Sequence, residues 1–220
     1  LTNLVSLNDQ RELKTLYHKS AQFLSVIVLS ATLVVAFFSK ELLLLWTQDT
    51  VTTEHVHLLV SILIIGTALN GLMNIPYALQ LAYGWTKLGF WVNLVSVFIL
   101  VPLMMFLTKH FGATGAAFVW VILNGGYVLF GLQIMHIRLL PEEKWRWYLE
   151  DVGLPFVAAM LLSVFFRVIM PFPDTTILGL TYLFAISAMT LLAAAIAAPI
   201  TRRWLREQLA SRRIINAIKL

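Results

Sequence analysis

The chain has 220 residues, of which 60% are hydrophobic and 12% are charged, and it contains no cysteine. This composition excludes an ordinary water-soluble globular domain, in which about a quarter of the residues are charged. The missing cysteine excludes disulfides, thiolate metal sites and cysteine nucleophiles within this sequence. The net charge of +5 does not indicate nucleic acid binding, because it is concentrated at residues 202–220.

The first residues predict a helix that leads into the membrane. Asp9 and Glu12 have the spacing of a capping box, and leucines follow on one face. We therefore expect residues 1–20 to form a cytoplasmic amphipathic helix that continues into the first span. Because the chain starts at Leu1 and has no methionine before Met73, we expect it to be the C-terminal part of a longer protein.

Six apolar stretches reach the length of about 20 residues that a helix needs to cross a membrane. They are residues 21–39, 56–83, 88–108, 111–135, 152–172 and 176–201. The runs are continuous and lack the two-residue alternation of a barrel wall, so they predict helices. The sequence thus predicts an all-α polytopic membrane protein with four spans in residues 21–135, a cytoplasmic loop at 136–151, two C-terminal spans in 152–201 and a basic cytoplasmic tail at 202–220.

Basic residues are divided unequally between the two sides of this arrangement. Of the 16 Lys and Arg residues, only Lys40, Lys109 and Arg167 fall towards the side opposite both ends of the chain. Because short cytoplasmic loops collect Lys and Arg, both ends are predicted to be cytoplasmic.

The second span carries a polar stripe. Thr67, Asn70, Asn74 and Tyr77 recur every three or four residues, so they share one helix face. Pro76 lacks an N–H for the carbonyl four residues earlier, which predicts a bend in the same helix. The stripe fits either the lining of a substrate path or hydrogen bonds between helices.

Two further polar residues inside predicted spans are candidates for the substrate path. Asn124 lies near the middle of the fourth span, and Arg167 lies towards the outer end of the fifth. We expect Arg167 to reach outer headgroups or, alternatively, to face a cavity and bind an anion.

No Asp or Glu falls inside the six predicted spans, and the acidic group Glu142, Glu143, Glu150 and Asp151 is interpreted as part of a solvated loop. Motifs for nucleotide, metalloprotease and hydrolase sites are missing from the sequence. His55 and His57 are two residues apart, a spacing that does not suit a metal site on a helix. The sequence therefore predicts no metal, no cofactor and no catalytic residue.

The tail predicts a helix on the membrane surface. Trp204 stands among Arg202, Arg203 and Arg206, a combination that is typical of segments attracted to anionic lipid.

Several motifs occur in a distinctive order: NDQRELKTLYHKS at 8–20, ELLLLW at 41–46, PYALQLAYG at 76–84, KLGFWVN at 87–93 and FGATGAA at 111–117. This order resembles the C-terminal part of polysaccharide (O-antigen type) flippases of the multidrug/oligosaccharidyl-lipid/polysaccharide exporter superfamily.

The resemblance implies a MATE-like parent in the bacterial inner membrane, with two six-helix lobes around a central cavity. The first four spans here would belong to the second lobe, and residues 152–201 would be two extra C-terminal helices. Such proteins flip a polyprenyl-pyrophosphate-linked oligosaccharide by alternating access, for polysaccharide or lipopolysaccharide biosynthesis. The implied partners are this lipid-linked saccharide and the N-terminal part of the same protein. The alternatives are a multidrug or small-cation antiporter of the same fold, a membrane transferase of the same pathway and a structural subunit.

Overall fold

A computed structural model of the chain describes residues 1–173 and 175–218, and the side chains within them except at positions 209 and 211–218. The described residues form helices and no strand. The helices are α1 Thr2–Ser6, α2 Gln10–Phe37, α3 Ser39–Thr47, α4 Thr50–Leu72, α5 Asn74–Ala82, α6 Lys87–Gly126, α7 Leu132–Leu139, α8 Lys144–Arg146, α9 Leu154–Ile169, α10 Thr176–Ala197 and α11 Pro199–Ile218. Two π-helical turns, Tyr127–Gly131 and Trp147–Gly153, join α6 to α7 and α8 to α9.

Five helical segments of the described chain are long and apolar enough to cross a membrane. They are Gln10–Phe37, Thr50–Ala82, Lys87–Leu139, Lys144–Ile169 and Thr176–Ala197. The predicted all-α class is confirmed, and the helices are those of a multi-pass membrane protein. The count of six spans and the relation to a transporter lobe stay predictions.

Helix α2 is the central element of the fold. The carboxylate of Asp9 accepts a hydrogen bond from the backbone N–H of Glu12 at 3.0 Å and caps the helix. From there α2 runs without a break for 28 residues, so the predicted continuation of the capped helix into the first span is confirmed. The prediction of a single helix over residues 1–20 needs correction, because the cap at Asp9 starts a new helix and Thr2–Ser6 forms the separate helix α1. Its side chains enter all three apolar clusters of the structure, for example Leu13, Val26 and Val34.

The second candidate span is interrupted where the sequence predicts a bend. Helix α4 ends at Leu72, Met73 adopts φ −77° and ψ −8°, and α5 begins at Asn74. Pro76, in the first turn of α5, has no N–H to give to the carbonyl of Leu72. The break therefore follows from proline chemistry.

The segment Lys87–Leu139 is divided by a reversal of the chain at Gly112. As one straight helix, its 53 residues would extend about 80 Å, far more than a bilayer core. Gly112 instead has φ 58° and ψ −142°, which only glycine adopts readily. Past this turn, a Cβ on Gly115 would lie 2.2 Å from the carbonyl oxygen of Leu107. The chain therefore folds back on itself in a tight hairpin.

We call residues 87–111 the first arm and residues 113–126 the second arm of this hairpin. The arms run antiparallel, since Met104 and Ala116 line one groove near the turn, while Asn93 and Tyr127 line it at the far end. The Tyr127 hydroxyl donates a hydrogen bond of 2.5 Å to the Asn93 side-chain oxygen. The first arm, and the second arm with its helical continuation to Leu139, each exceed the length of about 20 residues that one crossing needs.

Helix α4 packs along the second arm. A Cβ on Gly66 would lie 2.4 Å from Cδ1 of Trp120, and Asn70 contacts Asn124 one turn further along. Because the two contacts share the same offset in sequence, α4 and the second arm run parallel. The turn at Gly112 therefore lies at the end of the bundle where α4 begins.

The contacts made by basic residues lie at the two ends of the helices. At one end, Gln10 donates to the hydroxyl of Tyr83 at 3.2 Å, and the guanidinium of Arg138 lies 4.4 Å above the ring of Trp85. This end holds the N-terminus of α2 and the connections between α5 and α6 and between α7 and α8.

At the other end, Lys40 pairs with Glu54 at 2.5 Å and Arg167 pairs with Glu41. This division matches the two groups of basic residues in the sequence. Which end faces the cytoplasm stays a prediction.

The segment that the sequence predicts as a loop at 136–151 is largely helical. Helix α7 continues to Leu139, and helical structure resumes at Lys144, eight residues before the predicted fifth span. The prediction that no carboxylate enters a span needs correction, because Asp151 lies inside the candidate span Lys144–Ile169. Trp147 and Asp151 are both buried in the fold, which a count of apolar residues along the sequence does not register.

The start of the predicted tail is helical, as part of α11. The rings of Trp204 and Phe23 meet edge to face at 5.3 Å, while Arg202, Arg203 and Arg206 are exposed. The other predicted surface residues of the tail have side chains outside the described part of the chain: Leu209, Arg212, Arg213, Ile215, Ile218 and Lys219.

Candidate functional site

A cavity of about 230 Å³ lies between α4, α5, the first arm of α6 and the π-helical turn Tyr127–Gly131. We call it the polar cavity, because six of its eleven lining residues carry uncharged amide or phenol groups: Asn70, Asn74, Tyr77, Gln80, Asn93 and Tyr127.

Three of the four stripe residues line the polar cavity. Asn70, Asn74 and Tyr77 line the cavity, and Tyr77 is about half exposed, at 52%. Thr67 does not line it, because its hydroxyl donates to the carbonyl of Leu63 at 2.8 Å and accepts from the indole of Trp120 at 3.4 Å.

Asn124 is a packing residue. It is fully buried, its Nδ2 donates to the carbonyl of Trp120 at 2.8 Å, and its Oδ1 accepts from Nδ2 of Asn70 at 2.9 Å. Asn70 therefore both lines the cavity and joins two helices. Asn74, by contrast, has no side-chain hydrogen bond within the described part of the protein.

Three further lining residues, Gln80, Asn93 and Tyr127, were not predicted from the sequence. Gln80 continues the same spacing three residues after Tyr77, so the stripe could have been extended to it. Asn93 is the only amide residue in the predicted third span. Its meeting with Tyr127 depends on the hairpin register, for which the sequence carries no simple signal.

Two apolar grooves adjoin the polar cavity along the hairpin. Their volumes are about 470 Å³ and about 440 Å³. The first shares Asn93 and Tyr127 with the cavity, and the second shares Leu88, Val92 and Tyr127. A small polar compartment thus opens beside two larger apolar ones.

Arg167 does not belong to this cavity. Its guanidinium pairs with Glu41 at the opposite end of the bundle and lies 5.6 Å above the ring of Phe38. The partner is 126 residues away in sequence, so inspection of the fifth span alone could not predict it. Arg167 lines neither the polar cavity nor the adjoining hairpin surface, and its contact with outer headgroups stays a prediction.

A second cluster of polar side chains, which was not among the predicted sites, is buried between α2 and residues Lys144–Ile169, which we call the α8–α9 segment. The ring of His18 lies between two carboxylates: Nδ1 is 2.5 Å from Oδ2 of Asp151, and Nε2 is 3.1 Å from Oε2 of Glu143. Gln22 donates to the other oxygen of Asp151 at 2.9 Å. The predicted solvated loop therefore supplies a buried carboxylate, and we call His18, Gln22, Glu143 and Asp151 the ionic network.

Glu143 connects the network to water. Its side chain is 16% exposed and pairs with Lys14 at 2.9 Å. Partial burial raises the pKa of this carboxyl, but the Lys14 ammonium and the His18 ring lower it by more, so the net pKa is below its usual value. Glu143 is thus held as a carboxylate at the mouth of the network.

A second histidine lies beside this network. Nε2 of His136 lies 3.3 Å from the hydroxyl of Tyr17, and its Nδ1 lies 3.1 Å from the carbonyl of Leu132. Within the described residues no group of three or more His, Asp or Glu side chains has the geometry to hold a metal ion.

Comparisons of the chain with protein-family models, with curated proteins and with solved structures find no match in any of the three. Function is therefore inferred from the cavity, the grooves and the buried polar groups.

Proposed function

We propose that this chain is the C-terminal part of a membrane transporter that flips a polyprenyl-pyrophosphate-linked oligosaccharide across the bacterial inner membrane by alternating access. The observation that carries the proposal is the uncharged polar cavity beside two apolar grooves. On this proposal the protein moves its substrate without covalent catalysis.

The lining of the cavity suits a saccharide. Each amide supplies both donors and acceptors, and each phenol can do either, which matches the hydroxyl groups of a sugar. Asn74 is available to a ligand because its side chain has no hydrogen bond to another described residue. The absence of charge among the lining residues argues against this cavity as a site for an ion or for the pyrophosphate.

The grooves suit a hydrocarbon chain. They are lined mostly by aliphatic and aromatic side chains of the two arms, and both meet the polar cavity at Tyr127. A ligand with a sugar at one end and an isoprenoid chain at the other could place each part in a matching environment. The volume of about 230 Å³ is below the range of roughly 300–1,000 Å³ for a complete ligand site, which fits a cavity completed by a second lobe.

The break at Met73 supports a mechanism of alternating access. Discontinuous helices near the middle of the membrane are common at transporter substrate sites, and α4 ends two residues before Asn74. On this proposal both ends of the chain are cytoplasmic, the hairpin contributes two of six spans, and Arg202, Arg203, Arg206 and Trp204 bind anionic lipid.

One observation favours a second candidate, a cation-coupled antiporter of the same fold. The ionic network buries a carboxylate, Asp151, inside a candidate span, where ionisable groups often serve transport. Because the ionic network is separate from the polar cavity, it indicates a site for a coupling ion and does not identify the transported substrate. A transferase is disfavoured, because the side chains of His18 and Asp151 are fully buried, where a substrate does not reach them.

The test compares two asparagines with different surroundings, in cells whose surface polysaccharide depends on the protein. Asn74→Leu removes a cavity amide without breaking a described hydrogen bond, so we expect export to be lost at normal levels of inserted protein. Lipid-linked saccharide should then accumulate in the cytoplasmic leaflet. Asn124→Leu is the matched control: it breaks the pair with Asn70, and any fall in export should follow the fall in protein.

Normal export by Asn74→Leu would contradict the role of the cavity. Loss of drug or cation efflux in this variant, with saccharide transfer unchanged, would support the antiporter instead.

A further inference from the structure

The ionic network holds one imidazole ring between two carboxylates. The side chains of His18 and Asp151 are fully buried, at 0% exposure, and Glu143 lies on the water side of the ring. Ionisable groups inside a membrane protein carry a large desolvation penalty and typically mark ion paths or proton relays. This arrangement is more than a single ion pair, because both ring nitrogens face an acid.

The chemistry of the three groups fixes what they can exchange. If both carboxylates are ionised, each ring nitrogen must donate, so the ring is an imidazolium cation. If one carboxylate carries a proton, the ring is neutral and accepts at one nitrogen while donating at the other. The same geometry thus satisfies every hydrogen bond with the proton at any of three positions.

We propose that His18 and Asp151 form a proton-binding site that is filled from the aqueous phase through Glu143. Before loading, both carboxylates are ionised and the neutral ring keeps its single proton on Nδ1, so the contact between Nε2 and Glu143 lacks a proton. In the loading step a proton from water binds the Glu143 carboxylate and moves to Nε2 of His18, while the proton on Nδ1 passes to Oδ2 of Asp151. The net result is one proton bound at Asp151 and a neutral ring of the other tautomer, with no change in oxidation state. Release runs through the same steps in reverse.

Groups from every neighbouring element surround this site. The charged or titratable ones are Lys14 and Tyr17 of α2, His136 of α7, Glu143 before α8, Arg146 of α8 and Tyr148 of the following π-helical turn. Helix α11 contributes the backbone N–H of Ile200, which donates to Oε1 of Gln22 at 2.9 Å. Gln22 therefore links Asp151 to a third helix.

This position ties protonation to helix packing. Asp151 belongs to the segment that continues into α9, and its partners His18 and Gln22 belong to α2, the central helix. A proton on Asp151 replaces a carboxylate by a neutral acid and reverses the direction of its hydrogen bond with Nδ1 of His18. The site therefore provides a coupling ion for the transporter, and its existence does not depend on which cargo the polar cavity binds.

Infrared difference spectroscopy on the full chain in lipid bilayers tests the site directly. The sequence has four aspartates, Asp9, Asp49, Asp151 and Asp174, so changing the other three to Asn leaves Asp151 as the sole ¹³C-labelled aspartate. On acidification we expect a carboxylic acid C=O band that carries the ¹³C shift. Its absence at every pH at which the protein stays folded would overturn the proposal.

Two unlabelled variants check the assignment. Asp151→Asn should lose the band, whereas Glu54→Gln, at an exposed ion pair of the opposite end, should keep it. A band that persists in folded Asp151→Asn protein belongs to another acid and would count against the site. If Asp151→Asn does not fold, the labelled protein still decides the question.

The route is tested by the rate at which the band appears after a rapid drop in pH. Glu143→Gln should slow it about a hundredfold, the lower end of what a positioned proton-transfer group supplies. Glu150→Gln is the matched control, because Glu150 is on the same stretch but pairs with Arg146 and not with His18. Equal rates in the two variants would exclude Glu143 as the route.

Discussion

At the scale of single residues, two glycines of the α6 hairpin lie in helical backbone but have different surroundings. A Cβ on Gly115 would lie 2.2 Å from the carbonyl oxygen of Leu107, whereas a Cβ on Gly125 would meet nothing within 4 Å. We expect Gly115→Ala to destabilise the protein by about 1–3 kcal/mol through overpacking against backbone. Gly125→Ala should be neutral or stabilising by up to about 1 kcal/mol.

Thermal unfolding of the two variants in detergent measures this difference. Equal melting temperatures would mean that the arms do not approach as closely at Leu107 as the structure indicates.

The same scale separates what the sequence could predict from what it could not. Asn70, Asn74 and Tyr77 were predictable, because helical spacing places polar groups on one face whatever the partner helix is. His18 was not, since its role depends on Asp151, which is 133 residues away. In sequence, Asp151 stands among charged and aromatic residues that read as a loop. Local periodicity predicts a face, but pairing across helices needs the fold.

At the scale of elements, the hairpin register can be tested by cross-linking, because the chain contains no cysteine. With a protease site inserted at Gly112, cysteines at Asn93 and Tyr127 should be joined by a short bifunctional thiol reagent and should hold the two fragments together on a gel. The reason is that these side chains touch in the structure, with oxygen atoms 2.5 Å apart.

Leu94 provides the matched control, since it is the next residue of the first arm but does not line either groove. A cysteine there should cross-link to position 127 far less. If the Leu94 pair joined as well as the Asn93 pair, the register would be wrong.

Elements also differ in how well the sequence predicted them. The start of α2 and the break before α5 have local causes, a capping carboxylate and a proline, and both predictions are confirmed. The start of the α8–α9 segment was placed too late, because charged residues next to Trp147 lower its apolar content. Contacts with His18 and Gln22 of α2 offset the cost of burying Asp151, and such tertiary pairing is invisible in a hydropathy window.

At the scale of the whole molecule, the arrangement of the helices makes the predicted topology testable by thiol labelling of intact cells. Gln48, His110 and Thr175 are exposed and belong to turns at the end where α4 begins, whereas Thr86 is exposed in the turn at the opposite end. Single cysteines at the first three positions should react with an impermeant reagent from outside, and one at Thr86 should react only after the membrane is permeabilised. The physical reason is that Lys and Arg are retained on the cytoplasmic side.

His110 also tests the hairpin: if Lys87–Leu139 crossed only once, this position would lie near the middle of the membrane and would be unreactive from both sides. Labelling at Thr86 alone in intact cells would reverse the orientation and, with it, the side from which Glu143 takes up protons.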